Sequence, residues 1–263
     1  MDFVPYFQRE VQGFEAAVRG VAGEGGAPLT PSCPGWSVTD LVAHLGGVHR
    51  GVSHIIKDDL VTWPGMGDLG FLRLPAEAAG WPRPETAPNR GPVPTGMIDW
   101  FAEGAAELYA LFQDTDPGRR AWTWSREQTV GFWVRVQAIE AAVHRWDAQA
   151  ATGVPEPIDA ALAADMVAQT FEVMAPARRE WRQAPPGRGE RYAFRATDGP
   201  WAWTARFDGG EITLDASGSG DVELAGPASD LALYLWGRVP ADRLQVSGDK
   251  DVLDRYFTLV PPV

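Results

Sequence analysis

The chain has 263 residues, of which 45% are hydrophobic and 22% charged, so it can bury a sizeable core and is not disordered. Its net charge of -12 excludes non-specific binding to nucleic acid or to an anionic membrane, both of which need a basic surface, and leaves an anionic ligand dependent on a local cluster of arginines. A single cysteine, Cys33, excludes an intrachain disulfide framework and a cysteine-based zinc site. No apolar run reaches the ~18 residues of a membrane span and no basic-then-apolar leader opens the chain, which makes the cytoplasm the expected location. Lysine occurs only at Lys57 and Lys250, a bias of GC-rich, actinobacterial-type composition.

In chain order, Phe3, Phe7, Val11, Phe14 and Val18 recur at helical spacing, and the pattern predicts a first amphipathic helix over 3–20, ended by the glycines that follow. The Pro/Gly turn 30–36 runs into Ser37-Val-Thr-Asp40, a capping box that starts a second helix. Leu41, Leu45, Val48, Val52 and Ile55 form its inner face. His44 points inward with them. His49, about 140° further round, is expected to be solvated, and His54 to lie at the edge of the face. Residues 63–95 are dense in proline and glycine without a sustained period and read as a long ordered loop, either a lid over a site or plain surface packing. A third helix is expected over 97–112 and a fourth from Thr129 to about Ala151.

The fourth helix carries the most informative stretch, Gln137-Ala-Ile-Glu140-Ala-Ala-Val-His144-Arg-Trp-Asp147. An apolar row (Phe132, Val136, Ile139, Val143, Trp146) lies beside a polar one (Gln137, Glu140, His144, Asp147). Residues four apart share a helix face, so Glu140 and His144 can hold one divalent cation between them. A carboxylate flanked by core also needs something positive opposite it. His44 is the candidate third ligand, since two histidines, one carboxylate and an open position form a recurrent catalytic zinc set. It serves equally as a core histidine hydrogen-bonded to Glu140. Cys33 is either a nucleophile or ligand near a helix N-terminus, or a small residue packing its turn. Asp147 either bonds the second nitrogen of a ligand histidine, pairs with Arg145, or caps the helix end. Trp36 and Trp146 are expected in the core.

The prolines of the stretch 153–157 mark the domain boundary, with a helical bundle over 1–153 and a smaller domain over 158–263. The second domain opens with a helix from Asp159 to about Arg179. Short strands follow at 191–196, 201–207, 211–214 and 221–224, separated by Gly and Asp turns, then a helix over 227–238, a strand at 244–246 and a terminal helix over 249–257. The fold class expected is α plus α+β, with an antiparallel or mixed sheet in the second part.

Three motifs, Cys33-Pro-Gly-Trp-Ser-Val-Thr-Asp-Leu-Val-Ala-His44-Leu-Gly-Gly, Glu140-Ala-Ala-Val-His144-Arg-Trp-Asp147-Ala and Gly226-Pro-Ala-Ser-Asp-Leu-Ala-Leu-Tyr-Leu-Trp-Gly-Arg238, occur in this order. Together they resemble the mycothiol-dependent maleylpyruvate isomerase family, within the DinB-like metal-binding four-helix bundles. The resemblance implies zinc, or another divalent metal, on His44, Glu140 and His144. It implies mycothiol as the low-molecular-weight thiol cofactor, and Arg238 as a group acting on substrate or intermediate charge. The activity implied is cis-trans isomerisation of an enedioyl acid by reversible thiolate addition. A mycothiol S-transferase conjugating electrophiles, and a non-catalytic metal-containing ligand-binding protein, are the alternatives. Its partners are then a small anionic or electrophilic substrate and a thiol, with neither nucleic acid nor membrane. Where the family pattern places an arginine and a polar residue ahead of the motif glutamate, this chain has Val136 and Ile139.

Overall fold

A computed structural model describes residues 1–262 except Glu24, Pro64, Met66 and Val154. Pro64 and Met66 of the long loop, and Val154 of the boundary stretch, therefore lie outside the described residues. The chain falls into two compact units, Met1–Glu156 and Pro157–Val263. No helix among the described residues is long and apolar enough to cross a membrane.

The first unit is built on helices α1 (Val4–Arg19), α2 (Val38–Lys57), α3 (Thr95–Asp114) and α4 (Val130–Thr152). Helix α1 packs on α4 and α3, and α2 on α3 and α4, which makes the expected four-helix bundle. Phe7, Phe14, Leu41, Leu45, Ile98, Phe101, Leu108, Ala142 and Val143 fill its centre without solvent exposure. Such a core holds helices that propensity alone would leave marginal in water. Ser37 and Asp40 close the predicted capping box reciprocally at the start of α2. Thr129 caps α4 by accepting from the Phe132 N–H. Gly46 lets α2 and α3 approach, because a Cβ there would stand 2.1 Å from the Trp100 ring. One ion pair is sealed into this core: Arg145 Nε on α4 donates to Glu10 on α1, and both side chains are almost fully buried.

The long segment before α3 is ordered through three short 3-10 turns, at Gly70–Leu72, Ala76–Gly80 and Pro84–Thr86. Asn89 ties it to the α2 cap by donating to both oxygens of Asp40, and the Trp100 indole N–H donates to the Leu72 carbonyl.

In the second unit, helices α5 (Ala160–Gln169) and α6 (Ala175–Trp181) are joined by a π-helical segment, Thr170–Met174. Pro176 accounts for the interruption of the predicted continuous helix: it has no N–H to donate, and its ring crowds the carbonyl one turn back. Strands β1 (Gly187–Ala196), β2 (Ala202–Gly209), β3 (Glu211–Asp215), β4 (Val222–Gly226) and β5 (Gln245–Gly248) form a sheet in the order β3-β2-β1-β4-β5. Only β1 and β4 run parallel, so the sheet is mixed, and β5 lies slightly later than the sequence predicts. Tyr192, Phe194, Ala205, Phe207 and Leu224 are buried, with Phe171 of the π segment 5.4 Å from Phe194 and Tyr256 of the last helix 5.3 Å from Tyr192. Helix α7 (Ala228–Leu235) follows β4, and α8 (Lys250–Leu259) closes the unit. The α plus α+β class is the observed one.

Candidate metal centre

Helix α2 contributes His44, and α4 contributes Glu140 and His144 one turn apart. Their donor atoms all lie within 4.8 Å of one another, close enough to share one ion. His44 Nε2 is 2.9 Å from Glu140 Oε1, and the other carboxylate oxygen accepts from Gln137 Nε2 at 2.9 Å. His144 Nδ1 lies 3.0 Å from Asp147 Oδ2. That bond sets the tautomer with the proton on Nδ1 and leaves Nε2 as the available donor. Asp147 has no solvent exposure, and its carboxylate also accepts from Ser32 Oγ at 2.5 Å and Cys33 Sγ at 3.3 Å.

The electrostatics suit a cation. Burial by itself would raise the Glu140 carboxyl, but the hydrogen bond with His44 and the positive potential of His44, His144 and His49 outweigh it and hold the group down at about 2. Burial, helped by repulsion from His44, lowers His144, against the bond to Asp147, which raises it. A charged carboxylate beside a neutral imidazole is the protonation state that metal ligands require. A second set, Cys33, His144 and Asp147, lies as close together. Its three members are already engaged with one another through Asp147.

Some expected placements differ. His49, expected in solvent, has no exposure at all and packs edge-on against Phe7 at 5.2 Å and tilted against Phe101 at 5.5 Å. His44, expected to point clearly inward, keeps 31% of its side chain exposed. The inner row of α2 runs through Leu41, Leu45, His49, Val52 and Ile56, and an angle measured from Leu45, only about 40° from His49, would have placed that residue inside. Burial pushes the His49 imidazole down to about 3, and neither of its ring nitrogens has a hydrogen-bond partner. His54 lies at the edge as expected, bonded to Asp58 and stacked on Phe71. Trp36 and Trp146, expected in the core, are half-buried. Trp36 instead walls the site, with its ring 5.1 Å from His44 and stacked at 6.3 Å on His144. Ser32 and Gln137 are further contributors; Gln137 was visible as a polar residue three before Glu140, whereas nothing local marks Ser32 or Trp36. Arg238 belongs to the second unit, just past α7, where its Nη1 donates to the Trp236 carbonyl at 2.9 Å.

The family model described as the mycothiol maleylpyruvate isomerase N-terminal domain matches residues 7–149, and the MDMPI C-terminal domain matches 161–255. The chain belongs to the mycothiol maleylpyruvate isomerase family. Two crystal structures are similar across nearly the whole chain. One is of the mycothiol-dependent maleylpyruvate isomerase, at 14% identity and a TM-score of 0.59. The other is of a histidine-to-alanine mutant of that enzyme, at 13% identity and a TM-score of 0.60. Each match covers 93% of this chain and 91% of the other, and at these identities the likeness is one of fold. No curated protein matches the sequence. Within the family, the His44, Glu140 and His144 cluster lies in the part that the N-terminal model spans, and Arg238 in the part that the C-terminal model spans.

Proposed function

We propose that the chain is a divalent-metal enzyme, with zinc the preferred ion, that uses a low-molecular-weight thiol of the mycothiol type to isomerise a cis-enedioyl acid such as maleylpyruvate. The observation that carries this reading is the convergence of His44, Glu140 and His144, with donor atoms within 4.8 Å, in a chain of this family. When bound by these three residues, the metal would lower the pKa of a coordinated thiol, whose thiolate supplies reversible addition to the electron-poor double bond, so that the bond can rotate and re-form trans.

The chain's own residues act around that chemistry. Asp147 orients His144, Gln137 holds one oxygen of Glu140 and leaves Oε1 facing His44, and Trp36 shields both imidazoles. Arg238 is proposed to bind a substrate carboxylate or the charge that develops next to it, which a planar guanidinium does well. Cys33 donates its S–H to Asp147, so the nucleophile is assigned to the cofactor thiol. A second reading, a thiol S-transferase conjugating electrophiles, is favoured by the buried, apolar Val136 and Ile139 just ahead of Glu140, which add no group for a second carboxylate.

Metal analysis of the purified protein, followed by assays of maleylpyruvate and of a panel of electrophiles with and without mycothiol, tests both. About one ion per chain and thiol-dependent isomerisation are expected. Accumulation of a stable thioether would select the transferase. Metal content without turnover on any of these compounds would make the chain a binding protein, and absence of metal would overturn the site.

A further inference from the structure

The second unit contains a buried positive charge without a negative partner. Arg178, on α6, is 2% exposed, and no carboxylate among the described residues lies within ion-pair distance of it. Its Nη1 reaches the Leu235 carbonyl at 3.4 Å, its guanidinium sits 4.8 Å from the centre of the Trp236 ring, and its Nε is buried without a partner. One long bond to a helix-end carbonyl and one aromatic face leave the buried Nε–H of this guanidinium without an acceptor. Unpaired buried charge is among the costliest features a fold can retain, so its presence calls for an explanation.

Two further donors are orphaned around it. The indole Nε1 of Trp236 and the hydroxyl of Tyr256 are both buried, and neither has a hydrogen-bond partner. Burial lowers the Arg178 guanidinium to about 10, which still leaves it charged at neutral pH. All three residues pack at the end of α7: the Tyr256 ring lies 5.7 Å from that of Tyr234, Arg178 meets Leu235 and Trp236, and a tight turn fixes Trp236 beside Arg238. Gly237, at φ +70, donates to Tyr234, and Arg238 N–H donates to Leu233, so the helix closes with a Schellman motif that left-handed glycine makes possible. The two carbonyls left at that end, of Leu235 and Trp236, take Arg178 and Arg238 respectively. Three unmatched donors, one of them cationic, with a second guanidinium beside them, lack only an acceptor with negative charge.

We infer that Arg178, Trp236 and Tyr256 form a carboxylate-binding site inside the second unit, with Arg238 adding positive potential. The identity of the ligand as an organic acid rests on the proposed function; the site itself does not. Its test is calorimetric titration of maleate into the metal-free 263-residue chain at constant ionic strength with chloride as the balancing anion. One saturable site per chain is expected, weakened about tenfold or more in Trp236→Phe, in Tyr256→Phe and in Arg178→Lys, the loss expected for one hydrogen bond to a charged group. The two aromatic variants keep an aromatic ring at each position, and Tyr256→Phe also keeps nearly all the volume, so they remain informative if Arg178→Lys fails to fold. Absence of saturable binding to the wild-type chain, or unchanged affinity in both folded aromatic variants, overturns the inference. Binding that depends on Arg238→Ala alone also overturns it while leaving the proposed function standing. Maleate binding in a chain that takes up no metal would sink the proposed function and leave this site intact.

Discussion

Replacing His49 with leucine should make the protein less sensitive to acid, by an amount the structure sets. The imidazole is wholly buried between Phe7 and Phe101, and its pKa falls from 6.5 to about 3. A depressed folded-state pKa means that the unfolded chain binds the proton first. The stability associated with the neutral ring is therefore complete above 6.5 and is lost as pH falls toward 3. The loss runs at about 1.4 kcal/mol per pH unit within that window, or about 2 kcal/mol between pH 7 and pH 5, a large part of a typical 5–15 kcal/mol. Leucine has a similar volume, cannot titrate and removes two ring nitrogens that have no partner, so at pH 7 the variant should be at least as stable as the parent within about 1 kcal/mol. Urea denaturation of both proteins at pH 7 and pH 5, in chelator so that acid release of metal does not enter, measures the difference. Carboxylates that do not feel His49 titrate alike in both and cancel, and Glu140, held down at about 2, is ionised at both pH values in the parent. Parallel pH dependence in the two proteins would show that His49 is not buried as a neutral group.

His144→Ala should remove most of the bound metal, since two donors remain, and full retention by metal analysis would refute the ligand assignment. Asp147→Asn keeps shape but removes the charge that orients His144, and should weaken zinc affinity about 10–100-fold in chelator competition; an unchanged affinity would sink its role. Arg238→Ala should leave metal content intact and lower kcat/KM on a carboxylate substrate by about 10²–10³-fold, whereas an unaltered value would reduce Arg238 to a cap on the end of α7. Glu10→Ala strands the buried Arg145 guanidinium and should cost about 3–5 kcal/mol in denaturant unfolding, with a loss under 1 kcal/mol arguing that Gln149 and the Glu156 carbonyl suffice as partners.

What the sequence disclosed, and what it hid, follows from the range of each interaction. The helices, the Ser37–Asp40 capping box and the strands are encoded by residues a few positions apart, so period and turn chemistry expose them directly. The Glu140–His144 pair is legible for the same reason, because one turn of helix fixes its geometry whatever else the chain does. The Glu10–Arg145 pair spans 135 positions and leaves no local mark on either helix. Trp36 presents the same problem in a milder form. A tryptophan ahead of a helix cap reads as core, and only the packing of α2 against α4 makes its ring a wall of the candidate metal centre. His49 is misplaced for a different cause: its angle is taken from His44, itself at the rim. Taking the helix face from its apolar residues instead makes α2 a helix with an interior histidine and a marginal one. In the proposed function the rim histidine is the one that can meet both Glu140 and a ligand from solvent. The interior one is held as a neutral ring against two phenylalanines, so its titration is coupled to folding.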